Sequence, residues 1–165
     1  MVKKVVLNLC STVSVVQLNK DGYKQYNFCI NACDPGDLAD IKKSTAQPRD
    51  VNPNAKKLTA IRETLRKKEG FAVYNGGMQI NVDNDSVEID EKAGTISFTL
   101  EEDGSGNYDG QHTQCAVLQE ITAHDQQVGF QVQPMKMTLT ELGFWPEGKM
   151  EMRTAAKCWN SRTAQ

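Results

Sequence analysis

Histidine, long apolar runs and an excess of charge of either sign are scarce in this chain of 165 residues. Its only histidines are His112 and His124. A zinc site built on Cys29-x-x-x-Cys33 would need further Cys or His ligands at close spacing, so no metal site is expected. The five cysteines, Cys10, Cys29, Cys33, Cys115 and Cys158, include no Cys-x-x-Cys pair. An odd set without such spacing fits a reduced, cytoplasmic protein with buried or free thiols. No apolar stretch approaches the length of a membrane span, and Val5 to Leu9 is too short for the apolar part of a signal peptide. A net charge of −2 excludes a surface coated uniformly with basic residues for nucleic acid.

Charge is present but sorted. Lys42, Lys43, Arg49, Lys56, Lys57, Arg62, Arg66, Lys67 and Lys68 load one segment. Asp83, Asp85, Glu88, Asp90, Glu91, Glu101, Glu102 and Asp103 load the next. Two solvated faces of opposite sign and a polarised binding surface both fit that distribution.

The length suits one domain with a real core. Residues 3 to 18 are β-branched and apolar, with Val5, Leu7 and Leu9 alternating, and predict a strand broken near Ser11-Thr12. Asn19-Lys20-Asp21-Gly22 is a turn signal, and Tyr23 to Ala32 reads as the antiparallel return strand. Asp37 to Lys43 predicts one or two helical turns. A connector with two prolines follows, containing Gln47-Pro48-Arg49-Asp50. In Ala55 to Glu69 the spacing of Leu58, Ile61 and Leu65 predicts an amphipathic helix, with Gly70 in the position of a C′ glycine. Phe71 to Val82 reads as a strand interrupted by Asn75-Gly76-Gly77; paired glycines there mean a bend or the close approach of another backbone or a ligand. Ser86 to Asp90 and Thr95 to Leu100 predict a hairpin with Val87, Ile89, Ile96 and Phe98 facing inward. Glu101 to Asn107 reads as a flexible loop.

That loop leads into Tyr108-Asp109-Gly110-Gln111-His112-Thr113-Gln114, a turn that opens a helix whose buried face is Ala116, Val117, Ile121 and Leu118. An Asp-Gly turn with His and Thr at a helix start can hold a phosphate or another anion, and it can equally be an ordinary capped turn. Beyond it, Val128, Phe130 and Val132 alternate as a strand that Pro134 to Leu139 extends, and Met150 to Gln165 fits a terminal helix. We therefore expect a domain over residues 1–140 and a C-terminal extension over 141–165, the start of a longer protein. Without a long βαβ repeat, the order of elements predicts an α+β fold with a mixed sheet and two or three packed helices.

Strand pair, basic helix, strand with glycines, hairpin, then Asp-Gly-x-His at a helix start: this order resembles the ParB/sulfiredoxin-like superfamily, in which such a turn contacts nucleotide phosphates. Asp109-Gly110-Gln111-His112 is also similar to the start of the DGQHR motif of proteins linked to DNA modification. The match extends to the abortive-infection phage-resistance (AIPR) family through Arg49-Asp50, through Phe71 to Ile80 with Asn75-Gly76-Gly77, through Asp109 to Thr113, and through Ala156 to Thr163. It covers about residues 45 to 163. Four departures stand out. Thr113 occupies the position of the phosphate-gripping Arg, Asn75-Gly76-Gly77 replaces Asn-Asn-Gly, His112 takes the position of the Gln in the AIPR turn, and no Cys precedes the turn's His as a sulfiredoxin nucleophile would.

What the resemblance implies is a nucleotide- or nucleic-acid-phosphate-binding module of bacterial antiphage defence or DNA metabolism. Arg49, Asn75, Gly76, Gly77, Asp109, Gly110, Gln111, His112 and Thr113 would line its site, and a nucleoside triphosphate is the class of ligand implied. Lys56, Lys57, Arg62 and Arg66 would add long-range attraction. Two alternatives stay open. One is a metal-dependent nuclease or nucleotide hydrolase using His112 with Asp109 or Asp103. The other is an interaction domain with a degenerate pocket and no ligand, in which a protein is the partner. The residues leave open whether the chain is an enzyme.

Overall fold

Alternation in the second half of the first hairpin builds the centre of the molecule. In a computed structural model that describes residues 3–18, 22–47, 49–67, 70–123 and 133–142, β3 (Lys24–Asn31) turns Tyr26, Phe28 and Ile30 inward and Gln25, Asn27 and Cys29 outward. Period-two patterning of this kind needs one apolar and one polar face. The neighbours of β3 obey the same rule. β8 (Pro134–Glu141) buries Met135, Met137 and Leu139, and β4 (Met78–Val82) buries Met78, Ile80 and Val82.

Register then aligns these side chains in rows. Phe28 lies opposite Met137, which lies beside Met78; Tyr26 lies opposite Leu139, which lies beside Ile80. The five-stranded sheet has the order β2-β3-β8-β4-β7, with β2 at Ser14–Gln17 and β7 at Gly106–Asp109. Its β4–β8 pair is parallel and the others are antiparallel, so the sheet is mixed. A second sheet, β1-β6-β5, is antiparallel throughout, from Lys4–Asn8, Thr95–Thr99 and Glu88–Asp90. Val5, Leu7, Ile96 and Phe98 from this sheet join the same apolar core as the first. The core is completed by Leu38 and Ile41 around a short 3-10 turn (Leu38–Asp40), by Leu65 of α1 (Lys56–Arg66), by Phe71 of α2 (Phe71–Tyr74) and by Val117 of α3 (Gln111–Ala123). The architecture is α+β with a mixed sheet.

The break near Ser11-Thr12, the antiparallel return of β3, the basic helix and the β5–β6 hairpin stand where the sequence places them. Four local expectations do not hold. Phe71 to Tyr74 is a helical turn rather than the start of a strand: the N–H groups of Val73 and Tyr74 donate to Gly70 O and that of Asn75 to Phe71 O. Phe71 alone of these reaches the core, while Val73 and Tyr74 are 77% and 79% exposed. Gly70 adopts a left-handed conformation, but as the residue that opens α2. Ile89 is exposed, so the inward face of the hairpin is carried by Ile96 and Phe98 with Val87 packed at its margin.

The stretch read as a flexible loop, Glu101 to Asn107, ends buried. Asn107 N–H donates to Lys42 O (2.7 Å), Ser44 N–H to Asn107 O (3.0 Å) and Ser44 Oγ to Gly104 O (2.7 Å), which fixes this run against the connector after the 3-10 turn. The expected strand over Val128 to Val132, the terminal helix and His124 lie outside the described residues. Among the described residues no helix is long and apolar enough to cross a membrane.

Candidate functional site

Three backbones meet at the head of α3. Gly77, just before β4, has φ +79°, and a Cβ there would stand 1.9 Å from the Lys136 carbonyl oxygen of β8. Gly110, just before α3, has φ +94°, and a Cβ there would stand 2.4 Å from Gly77 O. Any side chain at either position would have to displace backbone, and the left-handed φ adds strain for an L-residue. The glycines of the two motifs are therefore stacked on one another. The close approach foreseen at the glycine pair is made by protein backbone at Gly77, whereas Gly76 has open space around it.

Asn75 fastens the arrangement. Its Nδ2 donates to Thr113 Oγ1 (3.1 Å), and its Oδ1 accepts from Gly77 N–H (2.8 Å). The Thr113 hydroxyl is also within 3.3 Å of Asn75 Oδ1. Thr113 is buried, and its side chain is spent on Asn75 rather than pointed to solvent. On the other side of the turn, Asp109 Oδ1 accepts from Gly110 N–H (2.9 Å). Gln114 N–H closes the first helical turn on Gly110 O (3.0 Å). The N–H groups of Gln111, His112 and Thr113 thus precede the intrahelical ladder and have no intrahelical carbonyl to bond. Gln111 Nε2 is enclosed without a hydrogen-bond partner among the described residues. The side chains of Gln111 and His112 are half-buried, and Asp109 is exposed.

Arg49 stands one link away. Its N–H donates to Gln47 Oε1 (3.3 Å), and Gln47 Nε2 donates to Tyr108 O (2.5 Å), so the Pro-containing connector is tied to the start of the turn while the Arg49 residue is exposed. The structure brings Asn75, Gly77, Gly110 and Thr113 into contact and leaves the Arg49 side chain outside that contact set. Sequence reasoning missed Gln47, whose position in an irregular connector gives no local signal. It also missed Gln114, which holds α3 in place: its Nε2 donates to Leu38 O and Ile41 O (both 2.9 Å), and its Oε1 accepts from Asn107 Nδ2 (2.7 Å).

The basic helix is less available than its composition implied. Glu120 on α3, with its side chain 0% exposed, accepts from Arg62 Nε (2.6 Å) and Arg66 Nη2 (2.8 Å). Burial pushes this carboxyl up, but the hydrogen bonds and charges of Arg66 and Arg62 outweigh burial and hold it below its ordinary value. Lys43 is paired with Asp50 (2.6 Å), which lowers the Asp50 carboxyl. In the acidic segment, Asp83 is buried and accepts from Thr99 Oγ1, Glu101 N–H and Glu102 N–H. Several charges of both segments are therefore internal ties. Lys56, Lys57 and Arg49 remain exposed. Among the described residues no group of three His, Cys, Asp or Glu side chains is placed to hold a metal ion. No protein-family model, curated protein or solved structure matches the chain.

Proposed function

We propose that the chain is a nucleotide- or nucleic-acid-phosphate-binding module whose anion site is the head of α3, in a cytoplasmic protein of bacterial antiphage defence (abortive infection) or DNA metabolism with a ParB/sulfiredoxin-like fold. The setting and fold family come from the resemblance of Arg49-Asp50, Asn75-Gly76-Gly77 and Asp109 to Thr113 to the AIPR and DGQHR patterns. The observation that carries the reading is the Asn75–Thr113 hydrogen bond. It sets two motifs that lie 38 residues apart in the chain against each other, beside the N–H groups of Gln111, His112 and Thr113.

Those N–H groups and the positive end of the helix dipole favour an anion, by about 0.3–1 kcal/mol for an exposed site. Gln111 Nε2 adds an enclosed donor at the same turn, and Gly76 leaves room for approach. The Asn75 and Thr113 side chains, with Gly77 and Gly110, form the scaffold, and the leading backbone N–H groups form the contact surface. Without an Arg at position 113 the grip is dipolar, so affinity is modest; Arg49, Lys56 and Lys57 supply the screened, long-range part.

Titration of the full chain with CTP, ATP and short DNA at low salt tests this. Binding by the wild type that weakens in His112→Pro, a first-turn substitution that removes one of the leading N–H groups, with unchanged circular dichroism, is the expected result. If no nucleotide or nucleic acid binds the wild type at low salt, the reading fails.

A further inference from the structure

The first sheet is joined to the second at a point where two cysteines face each other. Leu9 forms an antiparallel bridge with Ile30. One step along each strand in that register places Cys10 directly opposite Cys29, and Cys10 N–H donates to Cys29 O (3.0 Å). Directly opposed residues of a hydrogen-bonded antiparallel pair point to the same face, with Cα atoms about 5.5 Å apart. That spacing lies within the range of about 4.4–6.8 Å that a disulfide spans. Ile30 is buried, so its neighbour Cys29 points to the opposite, solvent side, where it is half-buried; Cys10 is exposed. Neither thiol is in a disulfide. The other half of the backbone pair is replaced by a side chain, Cys29 N–H donating to Ser11 Oγ (2.7 Å), which anchors the bend after Cys10. Lys136 of β8 lies opposite Cys29 on the same face.

We propose that Cys10 and Cys29 are a redox-active pair that forms a reversible cross-strand disulfide by exchange with a small-molecule disulfide such as oxidised glutathione. Exposed Cys10, as its thiolate, attacks one sulfur of the oxidised glutathione and expels one glutathione thiolate, leaving a mixed disulfide on Cys10. Cys29 gives up its proton and attacks Cys10 Sγ, expelling the second glutathione. The protein loses two electrons, one disulfide is reduced to two thiols, and the two protons from the protein end on the released glutathiones. The new bond ties the segment after β1 to β3 where the Leu9–Ile30 bridge already holds the two sheets together. The Cys10 thiol is raised by partial burial and then by the charge of Cys29, in keeping with the closeness of the two sulfurs. This inference is independent of the phosphate site.

The test is incubation of the full-length wild type with oxidised glutathione, quenching with an alkylating agent, proteolysis and mass spectrometry without reductant. The expected result is a peptide pair cross-linked through Cys10 and Cys29, lost after dithiothreitol. In Cys29→Ser the glutathione stays on Cys10 as a mixed disulfide. If both thiols are instead alkylated or glutathionylated separately, or if Cys10 cross-links to another cysteine, the proposal is overturned.

Discussion

Glu120 shows how much of the surface chemistry expected from composition is consumed inside the fold. A carboxylate at that depth is stable only with its charge matched, and Arg62 and Arg66 match it. Replacing it by Gln keeps the shape and removes the charge that both guanidinium groups pair with. We expect a loss of about 1–3 kcal/mol, below the figure for a wholly buried pair because both arginines retain some exposure to water. Chemical denaturation measures it. The pH dependence has a definite sign. A carboxyl held below its unfolded value of 4.5 stabilises the fold above that value, and this stability is lost as pH falls through the lower, folded value. The wild type should therefore lose stability below about pH 4.5 more steeply than Glu120→Gln. The glycines give a sharper contrast. Gly77→Ala drives a Cβ into the Lys136 carbonyl at a left-handed φ and should cost more than about 1–3 kcal/mol, whereas Gly76→Ala meets nothing within 4 Å and should fall within about 0.5 kcal/mol of wild type. Equal effects at the two positions in thermal unfolding would contradict the stacked arrangement. The sequence flagged the glycine pair as special, but which glycine is crowded depends on a strand about 60 residues further along and has no local signature.

At the scale of elements, the strands that alternate cleanly were legible because one face of each is buried: β3 and β4 are examples. The misreadings have physical causes. Phe71-Ala72-Val73-Tyr74 has strand propensity, yet only Phe71 has a core to enter, and a helical turn from left-handed Gly70 buries it while Val73 and Tyr74 stay in solvent. Tertiary packing overrides a weak local preference. Gly104-Ser105-Gly106-Asn107 has loop composition, and its burial comes from the Lys42–Ser44 backbone lying against it. The orientation of α3 was equally invisible, since it depends on Gln114 reaching two carbonyls of the 3-10 segment more than 70 residues away. Gln114→Ala should remove one hydrogen bond from each of those carbonyls and the acceptor of Asn107 Nδ2, and destabilise by about 1–3 kcal/mol. Hydrogen exchange should quicken at Ile41, whose N–H donates to Leu38 O, before it quickens in β3. Unchanged protection there would mean that the helix is positioned by apolar packing alone.

For the molecule as a whole, the last described strand is the middle of the larger sheet. β8 lies between β3 and β4, and the Tyr26–Glu141 contact closes a separation of 115 residues. Burial, followed by the charge and hydrogen bond of Glu141, pushes the Tyr26 hydroxyl up to about 12. Because the sheet cannot form until so distant a strand arrives, folding should be slow for a chain of this size, on the order of milliseconds to seconds in stopped-flow refolding; microsecond refolding would contradict this topology as the rate-limiting feature. That same topology makes β8 the support for the site, since its Lys136 carbonyl backs Gly77, which backs Gly110 at the head of α3. The central claim is that this supported turn holds phosphate through its leading N–H groups. The most direct measurement is the change in backbone amide chemical shifts of the full chain as CTP is added at low salt. The account predicts that the largest shifts fall on Gln111, His112, Thr113 and Gly76 and diminish as salt is raised. Saturation of CTP binding with those amides unmoved, or no shift anywhere, would contradict it.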